Sequence, residues 1–179
     1  MRAVLDACVL FPTILREILC DLAADGRFTP LWSERILEEW RHVALRLGPD
    51  AGQIAGAEIA LLRLGFPDAV QPHDGDRAID LDFPDPTDRH VVEAALAGDA
   101  DVIITANLRD FPQRMMAGIG LRAVHPDAFL LDLFRKDPDH VTKVIGAVCD
   151  KAVAMGGDMT PVQMLKRGQL PRMAKAVRS

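Results

Sequence analysis

Residues 85–107, DPTDRHVVEAALAGDADVIITAN, limit the possible folds more than any other stretch. A helix runs within a few residues into Val102-Ile103-Ile104, a β-branched run with no polar alternation. A strand apolar on both faces must be covered on both faces, as in a parallel sheet layered with helices. Asp85 suits the helix N-cap, Pro86 the first helical position, and Asp88 the third, facing unpaired backbone donors. Local stability therefore accounts for both aspartates. It leaves unexplained the polar ending Thr105-Ala106-Asn107.

The same strand-then-helix rhythm runs along the chain. Residues 2–5 form a short apolar strand, and Ile14, Leu15, Ile18, Leu19 and Leu22 recur at helical spacing between Pro12 and Ala24. Phe28 to Trp32 predicts a second strand. Ser33 then caps a helix with a core face of Ile36, Leu37, Trp40, Val43, Ala44 and Leu47, ended by Gly48-Pro49. A helix over Ala51–Leu64, a short strand near Asp68–Val70 and a polar loop from Pro72 to Pro84 follow. After the 85–107 segment come a last strand at Arg122–Val124, a helix from Pro126 through Phe134, and helical segments near Asp139–Met155 and Pro161–Ala176. The class is α/β, and sites in such sheets lie beyond the carboxyl ends of the strands.

With 179 residues and 49% apolar composition, the chain suffices for one domain with an appendage, not for two ordinary cores. Cys8, Cys20 and Cys149 are scattered, with no C-x-x-C pair, so neither a disulfide framework nor a zinc site is expected. No apolar run reaches membrane-spanning length, and the expected setting is the cytoplasm, without membrane contact. Lys166, Arg167, Arg172, Lys175 and Arg178 occupy a stretch from Thr160 to Ser179 that has no acid, which leaves about −10 on the preceding residues against a total of −5. Such a tail is either a phosphate or partner contact or a solvated end.

Several acids sit where a site would form. Asp6 directly follows Ala3-Val4-Leu5 and projects from the first strand's carboxyl end, although a turn aspartate would look the same. On the Ser33 helix, Glu39 borders the apolar face while Glu38 points away. A carboxylate at that border is costly unless paired or metal-bound; pairing with His42 or Arg35 is the plain alternative. Asp88 starts the face Asp88, Val91, Val92, Ala95, Leu96 at its solvent end. Arg89 and His90 read as first-turn surface residues, with Arg89 a candidate for phosphate contact. Asn107 and Asp110 follow the fourth strand, and either can hydrogen-bond a metal-bound water or open a turn.

Rival motifs fail. Asp74-Gly75-Asp76 starts like a calcium loop, but Ile79 stands where glycine is needed and Asp85 where glutamate is. Neither GxGxxG nor GxxxxGK[ST] occurs, and Cys8 replaces the second aspartate of an aspartyl-nucleophile pattern.

Four segments, VLDACVLFP, SERILEEW, DPTDRHVVEAAL and DVIITANLRDFP, together with the later HPDAFLLDL, resemble in order and content the PIN-domain nucleases, especially the VapC-like toxins. The resemblance implies a three-layer α/β/α sandwich with a five-stranded parallel sheet of order 3-2-1-4-5. It places a nuclease domain over residues 1–135 and leaves 136–179 as a helical extension. It also implies Mg²⁺- or Mn²⁺-dependent hydrolysis of RNA, with Asp6, Glu39 and Asp88 on the metal, Asn107 and Asp110 in support, and Thr105 orienting them. The expected partners are RNA, a cognate antitoxin and a second copy of the chain. At one position the chain departs from this pattern: Asn107 stands where the family commonly has Asp. An amide still ligates through its carbonyl but adds no charge, and this favours the alternative of a catalytically weak RNA- or protein-binding module.

Overall fold

The computed structural model describes Met1–Arg178. Strands β1 (Arg2–Leu5), β2 (Thr29–Leu31), β3 (Val102–Ile104) and β4 (Ala123–Val124) form one parallel sheet in the order β2-β1-β3-β4. In register, Leu5 lies opposite Ile104, and both are fully buried, as are Ala3, Val4 and Ile103. Helix α5 (Arg89–Ala97) packs on β1 and β3. Its residues from His90 to Ala95 are all buried.

The sheet thus has four strands among the described residues, where five were expected. The segment near Asp68–Val70 makes only one parallel bridge, Val70 to Trp32 on the outer edge of β2. Trp32 N–H donates to Ala69 O at 3.0 Å and Gln71 N–H to Trp32 O at 2.7 Å. Proline explains why pairing stops there. Thr29 N–H already points to β1, so Pro30 and Trp32 face the other edge, and Pro30 has no N–H to give.

By contact the chain divides into two compact units, Met1–Phe11 with Phe28–Val124, and Pro12–Arg27 with the chain from His125 onward. The first holds the sheet, α1 (Ala7–Leu10), α3 (Glu34–Arg46), α4 (Pro49–Gly65), α5 and α6 (Gln113–Gly118). Ser33 Oγ accepts the Ile36 N–H at 3.2 Å, as an N-cap should. Ile36, Leu37, Trp40 and Ala44 are buried, but Leu47 is 73% exposed. The expected core face is therefore shorter at its end. There the chain leaves the helix through Gly48, whose φ of +132° suits only glycine, and turns into α4. The polar loop 72–84 is pinned by Ala78 N–H donating to the buried Glu93 at 2.8 Å.

The second unit contains α2 (Thr13–Ala24), α7 (Pro126–Lys136), α8 (Pro138–Ala154), α9 (Pro161–Arg167) and α10 (Pro171–Ala176). The boundary expected at 135/136 falls inside the last turn of α7, within this unit, which takes up the chain again at His125. α2 packs on α8, with ion pairs Arg27–Asp137 and His140–Asp25 at 2.9 Å and Lys151–Asp21 at 3.4 Å. The basic tail is a built structure, not a frayed end. Thr160 and Gln163 form a capping box, and Met164, Leu165, Leu170 and Met173 are fully buried within the fold, while all five cations stay exposed. No helix of the described residues is long and apolar enough to cross a membrane.

Asp127, 4% exposed, accepts the Arg172 and Met173 N–H groups, each at 3.0 Å, and so fastens α10 to α7. Asp127→Ala leaves both donors buried and unsatisfied. It should cost about 2–3 kcal/mol, read as a lower urea midpoint with an unchanged slope, and Asp127→Asn, which keeps one acceptor oxygen, should cost less.

Candidate active site

At the carboxyl end of β1, Asp6 caps α1, its Oδ1 accepting Ala7 N–H at 2.7 Å. Its Oδ2 accepts two side-chain donors, Thr105 Oγ1 at 2.7 Å and Cys8 Sγ at 3.2 Å. Thr105 ends β3 and is fully buried; its hydroxyl in turn accepts Asn107 N–H at 3.0 Å. Ala106 N–H donates to Cys8 Sγ at 3.3 Å. Burial first, then the neighbouring Asp6 carboxylate, push the Cys8 thiol up to about 12. At neutral pH it is a protonated donor that cannot act as a nucleophile. Asp6 thus caps α1 and also lines a cleft. Sequence reasoning assigned no role to Cys8, because only folding brings its sulfur between the ends of two strands.

Asp85 takes the capping role, accepting from Thr87 N at 2.9 Å and Thr87 Oγ1 at 2.7 Å. A 3₁₀ turn, Pro86–Asp88, intervenes before α5. Asp88 is thereby the N-cap rather than the third residue, yet its side chain makes no capping bond. It faces a cleft of about 630 Å³ lined also by Asp6, Cys8, Glu39 and Asn107, with Arg46 and His42 among the remaining walls. Burial, then the charges of Asp110 and Asp6, push the half-buried Asp88 carboxyl up to about 6. Asp110 ends a 3₁₀ turn, Leu108–Asp110, which Asn107 opens without using its side chain as a cap.

Glu39 reaches the cleft from α3, and its Oε1 also lies 2.9 Å from His90 Nε2 and 3.5 Å from Arg35 Nε. The His90 contact lacks hydrogen-bond geometry. Pairing with Arg35 is real, whereas His42 goes to Glu38 at 3.7 Å. His90, expected on the surface, is 3% exposed. The warning sign was the run VVEAALA: small apolar residues all round a helix mean burial all round it. Arg89 lies outside this cleft and lines a neighbouring one.

The fold therefore brings Asp6, Glu39, Asp88 and Asn107 to one cavity and Asp110 within electrostatic reach of it. These are hard oxygen donors, and Asp110 and Asp6 raise the proton affinity of Asp88 between them, a set that fits a divalent metal ion. Among the described residues no three His, Cys, Asp or Glu side chains converge closely enough to cage an ion. The donors suit Mg²⁺ or Mn²⁺, which keeps several waters, better than an all-protein cage.

Residues 2–109 match the PIN domain, which is more than half of the chain. The chain belongs to the PIN-domain family. It is 49% identical over 45 residues to "Putative ribonuclease VapC50" of Mycobacterium tuberculosis (strain ATCC 25618 / H37Rv), a match covering 25% of this chain and 27% of that relative's length. No solved structure matches. The PIN-domain match takes in Asp6, Glu39, Asp88, Thr105 and Asn107 and stops one residue short of Asp110.

In the metal-free PIN domain, the folded state holds the Asp88 proton more tightly than the unfolded chain, whose carboxyl titrates near the ordinary 3.8. The corresponding stability is full below that value and is lost as pH rises through about 6. Asp88→Asn should therefore gain thermal midpoint relative to the parent as pH goes from 4 to 7.5 in chelator. A midpoint difference that stays constant across this range would contradict the crowding of acids.

Proposed function

We propose that this PIN-domain protein is a ribonuclease that hydrolyses RNA phosphodiesters with Mg²⁺ or Mn²⁺, and the toxin of a toxin–antitoxin pair acting in the cytoplasm. One observation carries the reading. Asp88 is pushed toward neutrality by burial, Asp110 and Asp6 in an open cleft beyond the ends of β1 and β3, an arrangement that favours a cation and gains nothing for the fold alone. The partial likeness to a protein named as a ribonuclease supports the substrate class. Through the VapC-like name of that relative, a cognate antitoxin is the proposed protein partner. We assign the nuclease to residues 1–135 and leave 136–179 as its helical extension.

Asp6, Glu39 and Asp88 would hold the ion, with Asn107 and Asp110 in support. When bound, the ion supplies an acidified water and positive charge opposite the phosphate. The chain's own residues do the positioning. Thr105 and Cys8 fix Oδ2 of Asp6 from two directions, so that carboxylate cannot swing away. Asn107 offers a neutral carbonyl, its backbone tied to Thr105. Arg46, on the cleft wall, is placed to meet the substrate's phosphate charge. In the hydrolysis, water oxygen joins phosphorus, one P–O bond breaks, and the leaving oxygen takes up a proton.

Asn107 is also the observation behind a second reading, a catalytically weak PIN-fold module that binds RNA or protein. Cleavage of RNA under metal titration separates the two. We expect Asp6→Asn, Asp88→Asn and Glu39→Gln each to lower metal-dependent cleavage by about 100-fold or more, at least the upper range for residues that merely support a metal site. Glu38→Gln should be near the parent, because that side chain is 53% exposed and pairs only with His42. Retained activity in two of the three acid variants would rule out this site.

A further inference from the structure

We infer that a second cavity beside the carboxylate cleft is a phosphate subsite that receives the phosphodiester next to the scissile one, with Arg89 as its main cation. The inference rests on the ribonuclease reading above. The cavity has a volume of about 320 Å³ and is lined by Arg35, His73, Asp74, Pro86, Arg89 and His90. Among the described residues only two arginines, Arg16 and Arg89, are drawn in from full exposure. Arg16 is engaged within the chain; the half-buried Arg89 guanidinium has no hydrogen bond or ion pair with it. With no partner in the chain, its five donors are free to meet a ligand in the cavity, and their shape matches a phosphate.

The surroundings narrow the ligand. His73 and His90 stand edge to face at 6.3 Å on the pocket wall beside Arg89. Arg35 is held in place by Thr87 O at 3.3 Å and by Glu39. Arg35 and Arg89 against Asp74 leave at most one net positive charge, which suits a singly charged diester better than a doubly charged free phosphate.

Position ties this pocket to the chemistry. Glu39 lines the cleft, whereas Arg35 and His90, which it touches, line the pocket, so these contacts form the partition between the two. Asp88 and Arg89 are consecutive, with Cα atoms about 3.8 Å apart, and face one cavity each. A strand with one phosphate at Asp88 thus presents the neighbouring phosphate to Arg89.

The test measures binding of a single-stranded 12-nucleotide RNA over a range of salt concentrations, with every protein carrying Asp6→Asn to prevent cleavage. Arg89→Gln should weaken binding severalfold at low salt and flatten the log–log salt slope by about 0.7, the value of one phosphate contact on a single strand. Arg89→Lys should keep most of that slope, because it keeps the charge. Equal slopes for Arg89→Gln and its parent would overturn the subsite, and so would Arg89→Lys behaving like Arg89→Gln, since the effect would then be structural. Displacement of RNA by inorganic phosphate at matched ionic strength would overturn the diester assignment in favour of a free-phosphate site. If the intact chain neither cleaves nor binds RNA, the functional reading fails and the subsite with it; cleavage by the intact chain with equal slopes removes the subsite alone.

Discussion

A single hydrogen bond, from Thr105 Oγ1 to Asp6 Oδ2 at 2.7 Å, joins residues 99 apart in sequence and depends on nearly everything else in the first unit. It exists only because β1 and β3 are neighbours in register. They are neighbours because both are apolar on two faces and must take the middle of a sheet covered by helices. Parallel strands all point one way, so the polar residues that end them emerge together. The acids of the cleft are brought there by chain direction, with helix starts and turns supplying the rest.

That arrangement opposes stability. Burying Asp88 near Asp110 and Asp6 favours its neutral form, and Arg89 is kept from water without a partner. Both are strains of the kind that cluster where a ligand is to be received. The opposite arrangement is found at Glu93 and Asp127, buried carboxylates that each accept from backbone N–H groups. The deeply buried Glu93 and Asp127 are thus satisfied by the chain, while the half-buried Asp88 is left for something outside it.

Much of this was legible in the residue order. Short apolar runs located β1, β2 and β3, and helical spacing α2, α3 and α4, to within a few residues, because burial on one or two faces writes itself directly into composition. Asp6, Asp88, Asn107 and Asp110 were named from their placement at strand and helix ends and Glu39 from its place beside an apolar helix face, and folding brings all but Asp110 to one cavity; the chemistry assigned to them stays a proposal. What was hidden depended on distant parts of the chain. The expected fifth strand failed on the hydrogen-bonding edge of Pro30, a matter of which neighbour each N–H faces. His90 and Cys8 gained their roles from partners dozens of residues away, and no local spacing encodes that. The basic tail read equally well as solvated or folded, until Asp127 supplied the cap that its own sequence lacks.

The second unit joins α2, made early in synthesis, to α8, which begins more than a hundred residues later. On the ribosome α2 therefore emerges long before the helix that shields its apolar face, and its Asp21 and Asp25 wait as long for Lys151 and His140. The last strand of the sheet ends at residue 124, so the sheet's sequence is complete before α8 is made. Closure of so long a loop makes docking of α2 a late folding step. A chain stalled or cut before α8 would expose Leu15, Ile18, Leu19 and Leu22, a surface for chaperones and proteases to recognise.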